Sequence, residues 1–281
     1  MKRFSYPLTL IFLLLASCSL VLPGPTTPTP AASPPTFSPT PGIGSNMPSE
    51  KDNMTLLYVP TGEFAMGSEN GEADEKPVHT VYLDAFWIDQ TEVTNGQYAA
   101  CVSANECVPP SYTGSRTRSS YYGNSEFDNF PVIYVDWNQA KAYCSWAGRR
   151  LPTEAEWEKA ARGTDGNTYP WGNDVPNRNL LNYNSNVGDT TAVGNYQNGA
   201  IPYGAYDMAG NVMEWVNDVY SETYYQGSPS SNPLGPDASS GAVRVLRGGS
   251  WYDLDVRSAN RYRDAPVFPA DHYGFRCASS E

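Results

Sequence analysis

The chain has 281 residues, of which 18 are basic and 30 acidic, and its formal net charge at pH 7 is −12. This charge argues against binding to nucleic acid or to an anionic membrane surface through general electrostatics. The length allows one sizeable hydrophobic core or two small ones.

The first residues have the order of a secretory signal peptide. Two charged residues precede an apolar run from Leu8 to Leu15, which is too short to span a bilayer. The tetrad Leu15-Ala16-Ser17-Cys18 resembles the lipobox of bacterial lipoproteins, which implies cleavage before Cys18 and lipid attachment to it. We therefore expect residues 1–17 to be removed and the protein to be anchored in the cell envelope, on the extracytoplasmic face of a membrane. An ordinary secretory signal with an incidental cysteine would also export the chain.

Residues 18–50 are dominated by Pro, Thr, Ser and Ala and carry almost no charge. Such a composition cannot bury a core, and proline favours the extended polyproline II conformation. We predict a disordered stalk that separates the lipid anchor from a folded domain over residues 54–281. No second linker interrupts that stretch, which favours a single domain.

Four cysteines remain once Cys18 is assigned to the lipid, and they are Cys101, Cys107, Cys144 and Cys277. An even number in an oxidising compartment predicts two disulfides, for which three connectivities are possible. Cys101 and Cys107 enclose only five residues and most simply pair with each other, which leaves Cys144 for Cys277. Free buried thiols are the alternative.

Regular secondary structure is predicted for a minority of the domain. Hydrophobic periodicity predicts helices over residues 91–102, 137–147 and 153–162. Thr94 is a candidate N-cap, and Thr153 with Glu156 would form a capping box. Runs of β-branched and aromatic residues predict strands over 56–60, 78–88 and 242–247. Between residues 163 and 242 we expect mostly irregular loop, held by metal ions, disulfides or buried polar groups.

A series of motifs extends over the whole domain. In chain order they include VPTGEFAMGS at 59–68, FWIDQTEVTN at 86–95, RLPTEAEWE at 150–158, DMAGNVMEW at 207–215, RGGSW at 247–251 and GFRC at 274–277. Together these motifs resemble the formylglycine-generating enzyme, or sulfatase-modifying-factor, family. The resemblance implies an α+β, C-type-lectin-like single domain with little regular secondary structure and long loops. It also implies a disulfide between Cys144 and Cys277.

The resemblance implies an activity that the residues do not support. Enzymes of the family oxidise a sulfatase cysteine to formylglycine, using a pair of active-site cysteines that bind copper shortly after the Gly-Gly-Ser motif. Here these positions fall at Asp253 and Ser258, and a shift of one residue to Ala259 supplies no thiol. Linear Cu(I) coordination needs soft thiolates, which neither a carboxylate nor a hydroxyl replaces. The sequence therefore argues against copper and predicts no catalytic residue.

Other catalytic sites have little support. Relatives that use iron take three histidines from a separate helical domain, whereas this chain has only His79 and His272, so an iron site is not expected. Asp253 and Asp255 could form an acid/base pair. An ion-paired loop is the simpler interpretation, because three arginines follow at positions 257, 261 and 263.

Calcium is the metal that the resemblance supports. Hard oxygen ligands from an irregular loop suit this ion. The first expected set combines side-chain oxygens and backbone carbonyls from Asp207, Gly210, Val212 and Glu214. A second, weaker set would come from Asn182, Tyr183, Asp189 and Thr191. Both ions would be structural, and a metal-free turn or helix cap is the alternative for the first spacing.

The sequence leaves two functions open. The anchor, the stalk, the calcium loop and the missing thiols favour a surface module that binds an extracellular protein, peptide or glycan. Five tyrosines in polar loops are candidate contacts, and these are Tyr121, Tyr122, Tyr220, Tyr224 and Tyr225. The alternative is an enzyme that oxidatively modifies an exported protein by forming formylglycine on a sulfatase cysteine, which rests on the family resemblance alone.

Overall fold

A computed structural model describes Gly24 and residues 41–200, 203–238 and 242–280. The chain divides into two units, 1–39 and 40–281, and the second contains the folded domain. The signal sequence, Cys18 and most of the proline-rich segment lie outside the described residues. Within the described ranges, no helix is both long and apolar enough to cross a membrane.

The described residues form ten short strands and three α-helices. The strands are β1 (Asn46–Pro48), β2 (Thr55–Val59), β3 (Gly62–Met66), β4 (His79–Leu83), β5 (Phe86–Asp89), β6 (Met213–Val219), β7 (Arg244–Arg247), β8 (Arg261–Asp264), β9 (Tyr273–Gly274) and β10 (Ala278–Ser280). The helices are α1 (Asn95–Ser103), α2 (Trp137–Trp146) and α3 (Glu154–Arg162). Four single 3-10 turns lie at Ala73–Glu75, Ser125–Phe127, Gln197–Gly199 and Tyr224–Gln226.

The strands make three sheets. One has the order β1-β2-β5-β10, the second is the β3-β4 hairpin, and the third has the order β8-β7-β6-β9. All pairings are antiparallel except β6 with β9, which is parallel. Because β10 pairs with β5, the end of the domain is tied to its beginning. The pairing of β1 with β2 also places residues 46–48 in the sheet, so the ordered domain begins before the boundary at residue 50 expected from composition.

The three predicted helices are confirmed, together with their caps. Thr94 accepts a hydrogen bond from the Gln97 amide, and Thr153 and Glu156 form the predicted reciprocal capping box. The strand predicted over 78–88 is two strands, because Asn232 bonds the Asp84 backbone and side chain and turns the chain there. Strand β6 was missed, since it is buried on both faces and shows no alternation.

Helix α3 lies at the centre of the domain and is buried along its whole length. Its apolar face packs in one of the two main core clusters with residues of β2 to β5. Its charged residues are buried too, so each needs a polar partner. Lys159 finds one by donating to the carbonyls of Pro60 and Gly62, at 2.8 and 2.9 Å. Burial lowers the pKa of this lysine to about 8.

Both expected disulfides are present. Cys101 bonds Cys107, and Cys144 at the end of α2 bonds Cys277 beside β10. The second bond joins residues 133 positions apart, and both of its cysteines are fully buried. It therefore fixes a large loop of the unfolded chain.

Removing the two disulfides separately should have unequal effects on stability. In the loop-entropy description, Cys144→Ala/Cys277→Ala should lower the free energy of unfolding by about 5 kcal/mol, and Cys101→Ala/Cys107→Ala by only about 2 kcal/mol. Denaturant unfolding of both double variants measures the difference. Equal losses would show that loop closure does not determine the contribution of these bonds.

Candidate functional site in the loop after strand β7

The loop after β7 turns sharply at Gly248 and Gly249. Both have positive φ, 92° and 67°, a region that glycine enters without steric cost. A Cβ at Gly249 would lie 2.9 Å from the Asp255 carbonyl oxygen and from a Val256 methyl. The tight turn brings residues 251–258 back over the end of α3.

Arg247 connects this loop to helix α3. Its fully buried guanidinium contacts Glu154 at 3.0 Å and Glu158 at 2.6 Å, both on α3. The same group donates to the carbonyls of Ser258 and Ala259, at 2.6 and 3.3 Å. The loop backbone is therefore part of a buried ion network.

Asp253 and Ser258 stand at the positions where the family resemblance would put the two copper-binding cysteines. The Asp253 carboxylate accepts hydrogen bonds from the backbone and hydroxyl of Ser250. Ser258 is fully buried, and its hydroxyl has no hydrogen-bond partner. All four cysteines of the described residues are in disulfides. These groups do not fit a Cu(I) ion, because no soft ligand is available at this loop.

The possible acid/base pair is not formed either. Asp255 is 2.6 Å from Arg257, which also forms a paired contact with Glu75 at 2.7 and 2.8 Å. Asp253 is bonded to Ser250 instead. Arg261 pairs with Glu154 on α3 rather than with the loop carboxylates. Asp255 and Arg257 therefore form the ion pair that the simpler interpretation of the sequence predicted.

The outer side of this loop exposes apolar side chains. Tyr252 is 63% exposed and Leu254 71%. Residues 184–187 run alongside, because Asn184 and Ser185 donate their amides to the carbonyls of Asp253 and Trp251, at 2.8 and 2.7 Å. Asn184 and Ser185 both have positive φ, 47° and 54°, a strained backbone that the neighbouring loop holds in place. We call residues 184–187 and 251–254 together the loop face.

The five tyrosines proposed as contacts do not form such a surface. Tyr121 and Tyr225 are buried, and Tyr122, Tyr220 and Tyr224 are half-buried. Tyr121 donates to the Pro131 carbonyl at 2.6 Å, and the Tyr225 ring lies 4.3 Å from the Arg261 guanidinium. The prediction was wrong for Tyr121 and Tyr225, because ring packing and buried polar partners hold these side chains inside the domain. For the three half-buried tyrosines it stays a prediction.

The residues of the two expected calcium sets lie next to each other. The Asn211 amide donates to the Asn182 carbonyl at 2.8 Å, and the Asn211 side chain accepts from the Thr191 amide at 2.9 Å. A Cβ at Gly210 would lie only 2.3 Å from the Asn182 carbonyl oxygen. This close approach explains the glycine and packs the two loops together.

The first set surrounds a cluster of buried carboxylates. Glu214 accepts two hydrogen bonds from Arg276 and one from Trp157, all at 2.7 Å. Asp207 accepts from the Gly194 amide at 2.6 Å. Glu92, which the sequence reasoning placed in a helix and did not consider, is fully buried with one oxygen unpartnered.

Burial and mutual repulsion disfavour the ionised forms of these carboxyl groups, which a bound cation would favour. Burial, and then the Asp207 charge, raise the pKa of Glu92 well above its usual range. Burial also raises the pKa of Asp207 to about 6. Three carboxylates face one arginine, Arg276. Hard oxygen ligands with surplus negative charge fit calcium. Among the described residues no three His, Cys, Asp or Glu side chains converge as ligands, so an ion would need the Gly210 and Val212 carbonyls.

In the second set the Asp189 carboxylate already has partners, whereas the buried side-chain oxygen of Asn182 has none. Asp189 accepts from Ser115 at 2.6 Å, from the Thr117 amide and hydroxyl at 2.8 and 2.7 Å, and lies 3.1 Å from Arg118. Burial alone would raise its pKa, but the Ser115 and Thr117 hydrogen bonds hold it below the ordinary value. Arg118 also donates to the Thr190 carbonyl at 3.0 Å. A guanidinium thus already balances this carboxylate.

A cavity of about 720 Å³ lies on another part of the domain, bordered by β2, the β4–β5 turn and the start of α3. Its charged groups pair with one another. Arg150 contacts Glu156 at 2.6 Å, and Asn232 bonds Asp84 at 2.9 Å. The cavity therefore presents few free polar groups to a ligand.

The family model of the sulfatase-modifying factor enzyme 1-like domain matches residues 44–281. The chain belongs to this family. Among similar relatives, the formylglycine-generating enzyme of Streptomyces coelicolor is 37% identical, with 79% of this chain and 88% of that enzyme covered. The inactive C-alpha-formylglycine-generating enzyme 2 of Mus musculus is 33% identical, with 80% and 85% covered. The relatives of this chain therefore include proteins named as enzymes and a protein named as inactive.

Other relatives are much longer than this sulfatase-modifying factor domain. The serine/threonine-protein kinase Pkn1 of Chlamydia trachomatis is 40% identical, with 79% of this chain covered. The chain spans only 38% of the length of that relative.

Solved structures agree with the family assignment. PvdO from Pseudomonas aeruginosa aligns with a TM-score of 0.73 and 28% identity, covering 85% of this chain and 99% of PvdO. Treponema denticola variable protein 1 aligns with a TM-score of 0.67 and 26% identity, covering 84% and 98%. The α+β, C-type-lectin-like single domain expected from the sequence is confirmed.

Proposed function

We propose that this protein is a non-catalytic member of the sulfatase-modifying factor family that binds a protein, peptide or glycan outside the cytosol. The observation that carries the proposal is the state of the two candidate thiol positions. Asp253 is hydrogen-bonded to Ser250, and Ser258 is buried with a hydroxyl that has no hydrogen-bond partner. Neither group can bind Cu(I) or be oxidised as a thiol is.

The loop face supplies the proposed binding surface. Its backbone is held by hydrogen bonds from the Arg247 guanidinium and from the amides of residues 184 and 185. Tyr252 and Leu254 remain largely in water, although burying such side chains is worth about 25 cal/mol per Å² of apolar surface. A rigid loop that exposes apolar groups is a suitable site for a ligand, because little ordering entropy is lost on binding.

A lipid anchor at Cys18 would hold this surface outside the cytosol. The lipobox-like tetrad ending at Cys18 supports lipid attachment, and the proline-rich segment after it supports a spacer. The disulfides agree with an oxidising compartment.

A structural calcium ion completes the proposal. It would be held by Asp207, Glu214 and the carbonyls of Gly210 and Val212, with Glu92 nearby. The support is the buried negative charge of this cluster and the unpartnered oxygen of Glu92. Calcium would hold the loop and would take no part in any reaction.

The purified protein should not form formylglycine. It would be incubated with Cu(I) and a cysteine-containing sulfatase-motif peptide under oxygen, and mass spectrometry would follow conversion of the thiol to an aldehyde. We expect no conversion and no copper bound, because the loop has no thiolate. The formylglycine-generating enzyme of Streptomyces coelicolor is the positive control. Turnover would establish the alternative, an oxidising enzyme, and overturn the proposal.

Replacing the lipidation residue should release the protein from the membrane. Cys18→Ala removes the only thiol that a lipobox could lipidate. We expect the wild-type chain in the membrane fraction, labelled by a fatty-acid analogue, and the variant unlabelled in the soluble fraction. Equal membrane association of both would show that the tetrad is not a lipobox.

Calcium should stabilise the domain through one set of ligands. The melting temperature should be higher in excess calcium than in a chelator. At a calcium concentration a hundredfold above Kd, the free energy of unfolding should rise by about 2.7 kcal/mol. Asp207→Asn should abolish the calcium-dependent difference. The matched change Asp189→Asn should preserve it, because Arg118 already pairs with that carboxylate. A difference lost in Asp189→Asn but kept in Asp207→Asn would contradict this assignment.

A further inference from the structure

The backbone of Asn211 is hydrogen-bonded to both parts of the chain that form the loop face. Its amide donates to the Asn182 carbonyl at 2.8 Å, just before the first segment of the loop face. Its carbonyl accepts the amide of Trp251, the first residue of the second segment, at 2.9 Å. The Trp251 carbonyl in turn accepts the Ser185 amide at 2.7 Å, which joins the two segments. One buried residue therefore positions both halves of the proposed binding surface.

The side chain of Asn211 reaches the carboxylate cluster instead. Asn211 is fully buried, and its side-chain amide donates to the Glu92 carboxylate at 3.0 Å. Its side-chain oxygen accepts from the Thr191 amide at 2.9 Å. The other oxygen of Glu92 has no hydrogen-bond partner. The orientation of Asn211 therefore depends on a carboxylate that borders the proposed calcium site.

The backbone around Asn211 gives a second connection. The carbonyls of Gly210 and Val212 are the proposed calcium ligands, and the carbonyl between them is the acceptor for Trp251. Gly210 also donates its amide to the Gly248 carbonyl at 3.0 Å, in the turn that starts the loop. Asn211 itself has a φ of 57°, a left-handed conformation that costs free energy for a residue other than glycine. Ligation of both flanking carbonyls would restrict this backbone, and with it the direction of the carbonyl that Trp251 uses.

We infer that Asn211 couples the calcium site to the loop face, so that calcium strengthens ligand binding there. This inference rests on the proposed function, because it uses both the calcium ligands and the binding surface proposed above. A surface held in one arrangement before the ligand arrives loses less entropy on binding. By linkage, a ligand on the loop face would raise the affinity for calcium by the same factor, and such factors are about 5- to 150-fold.

The test follows hydrogen exchange of the loop-face amides by mass spectrometry. The full chain, purified in detergent, is compared in calcium and in a chelator that contains an equal concentration of magnesium. The Trp251 and Ser185 amides, which are both hydrogen-bonded, should exchange at least about fivefold more slowly in calcium. The Glu106 amide bonds the Cys101 carbonyl in the loop of the short disulfide. It reports on another segment and should change little.

Asn211→Gly separates the coupling from calcium binding. Glycine adopts a φ of 57° without steric cost, but its backbone is free to take other conformations. The contacts with Glu92 and Thr191 are lost, whereas the proposed calcium ligands remain. The variant should still bind calcium in isothermal titration calorimetry, while the calcium-dependent slowing at Trp251 is lost. Asn53→Gly is the matched control and should keep the full response, since Asn53 is exposed and has a φ of 55°.

Calcium binding is measured separately, so failure of the inference is distinct from failure of the calcium site. If the wild-type protein binds calcium but its loop-face amides exchange equally fast in both solutions, the inference is overturned and the calcium site stands. An equal response in Asn211→Gly and wild type, or loss of the response in Asn53→Gly as well, would also overturn it. If the wild-type protein binds no calcium, the calcium site and the inference are both wrong. The wild-type comparison can overturn the inference even if Asn211→Gly does not fold.

Discussion

The buried contact of Arg247 with Glu154 and Glu158 is the interaction on which the rest of the domain depends. A fully buried guanidinium is tolerated only if its charge and its hydrogen-bond donors are matched. Two carboxylates of α3 provide the charge, and the carbonyls of Ser258 and Ala259 take further donors. One residue at the end of β7 thereby joins the central helix, the third sheet and the loop that carries the candidate site. Glu154 also pairs with Arg261, and Glu158 with Arg162, so the contact belongs to a larger buried ion network.

This connection holds the loop by its backbone carbonyls. The path of the loop therefore does not depend on a thiol at position 253 or 258. Similar sequences are found in relatives named as formylglycine-generating enzymes and in one named inactive. Function in such a fold depends on the site and not on the scaffold. In this chain the backbone of the loop is held by hydrogen bonds, and its outer surface exposes Tyr252 and Leu254.

The two polar loops beside the site balance charge in different ways. Around Asp189, a guanidinium and several hydroxyl and amide donors satisfy one carboxylate completely. Around Asp207 and Glu92, a single arginine is shared with Glu214, and one carboxylate oxygen has no partner. A cation bound from solution would therefore stabilise the loop around Asp207 and Glu92 more than the loop around Asp189. Charge balance within each loop gives a physical reason for the two sets to differ, although their sequences suggest the same kind of site.

Local patterns in the sequence determined the helices, their caps, the family and both disulfides. Capping by Thr94 and Thr153 depends on residues three positions apart, and the Cys101–Cys107 bond on a short spacing, so neighbouring residues suffice there. The Cys144–Cys277 bond joins residues 133 positions apart, and it was predicted because only two cysteines remained and because the family resemblance implies it. The sequence also shows directly that positions 253 and 258 carry no thiol. Strand β6 escaped prediction because burial on both faces removes the alternating pattern. The tertiary structure alone decided that Tyr121 and Tyr225 are buried, that Glu92 joins Asp207, and that Arg118 reaches Asp189 from 71 positions away. These outcomes depend on contacts between distant segments, whose geometry no local pattern encodes.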